Sequence, residues 1–254
     1  MDYLYDGTFE GALSGVYVMF YDRKPEEDQR LLEQQFYQAD CLIPSKVVET
    51  DAVRAEKVAR SIIKHFGVRG FRLVTTAYLA ENKEYGTHLF RFLKHAYRIG
   101  EGAVDCLSDD AVLTLYKHYN SVTREVHRFL GFVRFSELEN GVLYAQCEPT
   151  YNLLSLMVPH FTERLGNQTW VIHDTKRRMA AFFDQNTVEI KPLESVDGIR
   201  LSEWETSYRS LWQGYYDSAA IETRKSDKRQ RQMMPKKYWK FLIENPQNQP
   251  NVYK

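Results

Sequence analysis

The chain has 254 residues, 43% of them apolar, and carries 34 basic and 34 acidic side chains. That apolar share sustains a buried core and excludes a wholly disordered protein, while zero net charge excludes one that coats nucleic acid through bulk charge, though not one with a local basic patch. No apolar run reaches the length of a bilayer span, "MDYLYDGTFE" is acidic where a signal peptide is basic, and Cys41, Cys106 and Cys147 form no Cys-x-x-Cys pair, so the expectation is a soluble, cytoplasmic protein with reduced thiols and no membrane segment.

In chain order, "YLY" (Tyr3–Tyr5) predicts a short strand and "DGT" a turn into a helix. That helix carries Phe9, Ala12, Leu13, Val16, Tyr17 and Phe20 on one face and ends between Asp22 and Pro25. A polar stretch to Asp40 suggests another short helix. "SKVVET" (Ser45–Thr50) reads as a strand, and Asp51 caps a helix with the stripe Ala55, Val58, Ala59, Ile62, Ile63 and Phe66, closed by Gly67. "FRLVTTAYLAE" and "HLFRFLKHAYRIG" are two more helices, apolar on more than one side and therefore buried. Ser108 caps the next, with Val112, Leu115, Tyr116, Tyr119 and Val122 inward, running to about His127.

The pattern then changes to alternation. "GFVRFSEL" and "VLYAQCEP" flank Glu139-Asn140-Gly141, a hairpin signal. Thr150 opens a helix through Leu153, Leu154 and Met157, interrupted at Pro159 and stopped at Gly166. "TWVIHDT", "RMAAFFD" and "TVEIKP" read as three strands. Ser202 and Glu205 form a capping box for a helix carrying Trp204, Tyr208, Leu211, Trp212 and Tyr215. A basic helix follows up to Pro235, then "MPKKYWKFL" and a frayed tail, "ENPQNQPNVYK". The order predicts an α+β fold: a mainly helical N-terminal region (1–122) and an α+β region (123–254) with a mostly antiparallel sheet and packed helices, the two forming separate regions or one continuous domain.

Three stretches carry chemistry. "HRFLGFVRF" (His127–Phe135) matches most of an RNA-recognition signature through Arg128, Gly131, Phe132, Val133 and Phe135. On a strand, Phe132 and Arg134 would share an open face able to stack a base and hold a phosphate, but the preceding helix gives the wrong topology for that domain, and a half-buried strand is the plainer reading. Lys176, Arg177 and Arg178 lie on a predicted turn, either as phosphate contacts or as a solvated charge run. Thr223–Leu242 holds eight Lys or Arg against Asp227 alone, with Lys236, Lys237, Tyr238 and Trp239 at its centre. Its rings either meet nucleic acid or dock on the core while the lysines reach outward. The seven histidines include no His-x-x-x-His or His-Glu-x-x-His pair, so no metal site is expected from spacing. His127 with Arg128 and Glu148, or His173 with Asp174, are the acid–base candidates, set against satisfied polar groups at strand ends. No phosphate-binding glycine loop or Gly-x-Ser-x-Gly elbow occurs, which disfavours a nucleotide hydrolase or serine esterase, and no cofactor is expected.

Together, "YLYDGTFEGALSGVY", "REVHRFLGFVRF", "EPTYNLLSLMVPHFTERLGNQTWVIHDTKRRMAAFFD" and "MPKKYWKFL" resemble the bacterial family labelled "probable DNA metabolism protein", over nearly the whole chain. After the Trp-Lys step the family pattern continues Asn-Leu-Pro-Glu, whereas Phe241-Leu242-Ile243-Glu244 stands here. The resemblance implies a theme of DNA repair or modification. It also implies a radical-SAM protein as partner and, in some relatives, fusion to a uracil-DNA-glycosylase-like domain that this chain is too short to hold beside its own. It transfers no catalytic residue. The expectation is an accessory protein that touches DNA through Arg128, Arg134, Lys176–Arg178, Lys236, Lys237, Tyr238 and Trp239. The alternatives are a protein-interaction subunit of the radical-SAM partner, or a nucleobase-directed enzyme using His127, Glu148 or His173.

Overall fold

A computed structural model describes residues 1–22, 24–26, 29–194, 196, 198–219, 221 and 226–243. The tail expected to fray, Glu244–Lys254, and Arg224 and Lys225 of the basic segment lie outside these described residues. The chain divides into two compact units, Met1–Arg124 and Glu125–Lys254.

The first unit is built on β1 (Asp2–Tyr5), all four residues of which are buried. Thr8 caps α1 (Phe9–Tyr21) by accepting the Gly11 N–H at 2.9 Å. The chain then returns as β2 (Arg30–Glu33), and β3 (Ser45–Val47) completes a parallel sheet in the order β2-β1-β3. The helix expected before Asp40 is therefore strand β2 followed by a single 3-10 turn at Gln34–Phe36. Leu31, wholly buried, anchors β2 beneath α1, because packing outweighs the polar character of its neighbours. Asp51 caps α2 (Ala52–Tyr78) through the Val53 and Arg54 N–H groups. Gly67 does not end it: at φ 65° and ψ −175° it kinks the helix, which resumes through the "FRLVTTAY" segment. α3 (Tyr85–Ile99) stops at Gly100, at φ 88°. The cap of α4 (Asp110–Phe132) is Asp109, which takes the Ala111 and Val112 N–H groups, rather than Ser108.

α4 runs on through the stretch expected to begin a strand. Phe132 is its last residue, so Phe132 and Arg134 do not share a strand face and the RNA-recognition reading of "HRFLGFVRF" falls. Val122, Glu125 and Phe129 repeat at helical spacing and all three are buried, which makes the helical period the one satisfied by packing. The second unit holds a five-stranded sheet in the order β4-β5-β6-β7-β8, with β4 (Phe135–Glu137), β5 (Leu143–Cys147), β6 (Trp170–Asp174), β7 (Met179–Phe183) and β8 (Val188–Pro192). β4 and β5 form the expected hairpin, with Gly141 at φ 78° in its turn. β5 and β6 are parallel, joined by α5 (Leu154–Arg164), and the other three pairings are antiparallel. Pro159 sits inside α5 on an exposed position. α6 (Glu203–Ala219), α7 (Asp227–Met233) and a 3-10 segment at Lys236–Phe241 complete an α+β protein. Among the described residues no helix is long and apolar enough to cross a membrane.

Candidate nucleic-acid interface

The parallel pairing of β5 with β6 sets Cys147 opposite Asp174, so the chain leaves both strands at the same end of the sheet. The loop Glu148-Pro149-Thr150-Tyr151 and the turn Thr175–Arg178 are thereby neighbours. Asp174, 0% exposed, closes the turn by accepting the Lys176 and Arg177 N–H groups at 3.1 and 3.2 Å and Nη1 of Arg177 at 2.8 Å. Burial pushes its carboxyl above the ordinary range, outweighing the adjacent guanidinium. Arg177 also donates to the carbonyls of Pro149 (3.2 Å) and Thr150 (2.9 Å), and Lys176 Nζ donates to the Thr150 carbonyl at 3.1 Å. Thr175 Oγ1 donates to Glu148 Oε1 at 3.0 Å, and Lys240 forms an ion pair with the same oxygen.

The loop is held from the other side by Glu125 of α4, 3% exposed. Its Oε1 accepts Thr150 Oγ1 (2.7 Å), Lys237 Nζ (3.0 Å) and the Tyr238 hydroxyl (2.9 Å), and its Oε2 accepts the Tyr151 N–H (3.0 Å). Burial alone would raise the Glu125 carboxyl, but these donors hold it below the usual glutamate range. Lys237 also reaches Thr150 Oγ1 at 2.7 Å.

The turn Lys176–Arg177, the loop 148–151 and the late lysines thus meet, at sequence separations of up to 113 residues. The expected contributors are placed as follows. Lys176 is exposed and Arg177 is largely enclosed, with an 11% exposed side chain. Arg178 points away into an exposed ion pair with Glu194 at 3.0 Å. Lys236 is exposed, with Nζ 5.9 Å above the Trp239 ring. Trp239 is half-buried and donates Nε1 to the Met234 carbonyl at 2.8 Å. Tyr238 is buried, edge-on to Phe129 at 5.3 Å and tilted against Phe132 at 5.5 Å, so it serves the core rather than a stacked base. Arg128 is exposed on α4, three residues beyond Glu125. Arg134 donates to the Gly131 carbonyl at 2.8 Å.

The acid–base candidates lie in different surroundings. His127 is exposed on α4, and Glu148 is committed to Thr175 and Lys240. His173 is 3% exposed: its Nε2–H donates to the Leu193 carbonyl at 3.1 Å and its Nδ1 accepts the Tyr144 hydroxyl at 2.7 Å, which fixes one neutral tautomer. Burial lowers its pKa, outweighing the Leu193 carbonyl and Asp174. Among the described residues no group of three or more His, Cys, Asp or Glu is disposed to hold a metal ion.

Sequence reasoning missed Glu125, Thr150 and Lys240. Glu125 had a legible signal: it is a carboxylate on the helical stripe between Val122 and Phe129, where an apolar residue belongs, and such a residue is retained only with partners. Lys240 and Thr150 had none, because their partners come from remote segments.

A 139-residue stretch is 26% identical to Envelope glycoprotein B of human cytomegalovirus (strain AD169) and spans 54% of this chain but 14% of that protein. So small a share at that identity carries no functional argument. Residues 83–244 match the model of a family described as a domain of unknown function, DUF4130. The match takes in α3, α4 and the whole cluster from Glu125 to Lys240, and on this coverage the chain belongs to the DUF4130 family.

Proposed function

We propose that the protein is an accessory factor in DNA repair or modification, working beside a radical-SAM partner and touching nucleic acid at the 148–151 loop. The observation that carries the reading is the convergence of cations from separate segments on that loop. Lys176, Arg177, Lys237 and Lys240 stand against Glu125, Glu148 and Asp174, and exposed Arg128 and Lys236 lie on the α4 and late segments that build the cluster. The carboxylates neutralise most of this charge. What remains for a ligand is Lys176, Lys236 and Arg128, enough for two or three phosphates. Such contacts position a backbone without reading its sequence.

Fluorescence anisotropy with single-stranded, duplex and uracil-containing DNA tests this. Affinity should be weak, with log K falling against log salt at a slope of about −2 to −3, as two or three neutralised phosphates require. Lys176→Glu with Lys236→Glu, both at exposed positions, should abolish binding and leave the fold intact. No binding at low salt, or binding indifferent to both substitutions, would reject the assignment.

A further inference from the structure

α6 is inserted with its polar side inward. Ser202 caps it by accepting the Glu205 N–H at 3.0 Å. Glu205 accepts the Glu137 N–H of β4 at 3.2 Å and pairs with Arg209 at 2.8 Å, Arg209 bonds to the Ser136 hydroxyl, and Gln213 donates to the Ile243 carbonyl at 3.1 Å. Another side carries Trp204, 72% exposed, Tyr208 66%, Leu211 69% and Tyr215 63%, with Trp212 42% and Tyr216 44% on the flank that borders the polar stripe. No residue of α6 is buried. This is the reverse of an ordinary amphipathic helix, in which such residues face the core, and a contiguous patch of this kind marks an interaction surface.

We propose that α6 pairs antiparallel with α6 of a second copy of this chain. The spacing 204, 208, 211, 215 steps by four, three and four residues, the seam of a helix pair. That set maps onto itself when the direction is reversed: Trp204 meets Tyr215 and Tyr208 meets Leu211, as a two-fold isologous interface requires. At 150–250 Å² for a whole aromatic side chain, the exposed fractions of the four seam residues give roughly 550 Å² per chain, and the flanking Trp212 and Tyr216 bring this to roughly 700 Å², within what each partner of a standard-size interface buries. The seam itself is uncharged. The exposed charged residues of α6, Glu203 and Asp217, are acidic and lie off the seam, so the face suits protein rather than the phosphates of a nucleic-acid strand stacked on its rings. The proposal is independent of the DNA reading.

Sedimentation equilibrium of the full chain tests it. The expected mass is twice the 29.9 kDa of one chain. Tyr208→Glu with Leu211→Glu, at exposed positions mid-seam, should weaken self-association at least about a hundredfold while far-UV circular dichroism stays unchanged. Should that double variant fold poorly, Trp204→Lys at the end of the seam provides the same readout. A chain that stays monomeric up to about 0.1 mM overturns the proposal, as does a dimer that survives the seam substitutions. So does a monomer whose binding of single-stranded DNA is lost in Tyr208→Glu with Leu211→Glu, which would make the face a stacking platform.

Discussion

Replacing Glu125 tests the physical core of the candidate interface. The carboxylate accepts four hydrogen bonds while 3% exposed. In Glu125→Leu the Tyr238 hydroxyl and the Tyr151 N–H lose their partner inside the fold, at about 1–3 kcal/mol each. Lys237, with a 52% exposed side chain, rehydrates, so the full cost of stranding a buried charge, about 3–5 kcal/mol, is not incurred on its side. A loss of about 3–4 kcal/mol follows from these terms. Glu125→Gln keeps one acceptor oxygen for the three donors on Oε1 but turns an amide toward the Tyr151 N–H, and should cost about 1.5–3 kcal/mol. Trp170, Trp204, Trp212 and Trp239 are the only tryptophans in the sequence and all lie in the second unit, so urea unfolding followed by tryptophan fluorescence reports that unit alone. The pH dependence has a definite sign. The folded carboxyl is held below its ordinary value, so its contribution is complete above about 4.5 and fades as pH falls through the folded pKa. The gap between the wild-type protein and Glu125→Gln should therefore narrow in acid. A Glu125→Leu protein within about 1 kcal/mol of wild type, well inside the spread of ordinary substitutions, would refute this account of the cluster.

Three further outcomes follow from the same contacts. Tyr144→Phe should cost about 1–2 kcal/mol by leaving His173 Nδ1 without that donor, and nitrogen NMR at pH 6.5, where an ordinary histidine is half protonated, should find His173 mainly as the Nε2–H tautomer; a predominant imidazolium there would contradict the assigned bonds. Thiol labelling should modify exposed Cys41 quickly and reach Cys147 only on unfolding, since burial excludes the reagent and pushes that thiol well above its ordinary pKa; fast labelling of Cys147 in the native protein would count against the packing of β5. Gly86→Ala would set a methyl 2.7 Å from the Leu31 carbonyl, where backbone cannot yield cheaply, and should destabilise the first unit by about 1–3 kcal/mol; calorimetry showing no change would mean that α3 sits less tightly on β2.

The sequence by itself determined the elements whose signals are local. Thr8 and Asp51 announced helix starts, Asn140-Gly141 the hairpin, and the alternation of "VLYAQCEP", "TWVIHDT", "RMAAFFD" and "TVEIKP" four strands, because caps, turns and side-chain periods act over a few residues. At "HRFLGFVRF" that logic failed: apolar residues there satisfy both the helical and the strand period, and only the burial of Glu125 and Phe129 selects the helix. β2 was hidden for a related reason, since Arg30–Glu33 is a strand by virtue of pairing with β1. The cluster around Thr150 was half legible. The lysines and arginines could be named, but their carboxylate partners could not, because Glu125 reaches Lys237 and Tyr238 across more than a hundred residues. The rings of α6 carried the pattern of a core-facing stripe. Tertiary structure alone turned them outward, because Glu205, Arg209 and Gln213 found polar partners on β4 and at Ile243 that hold the opposite side of the helix inward.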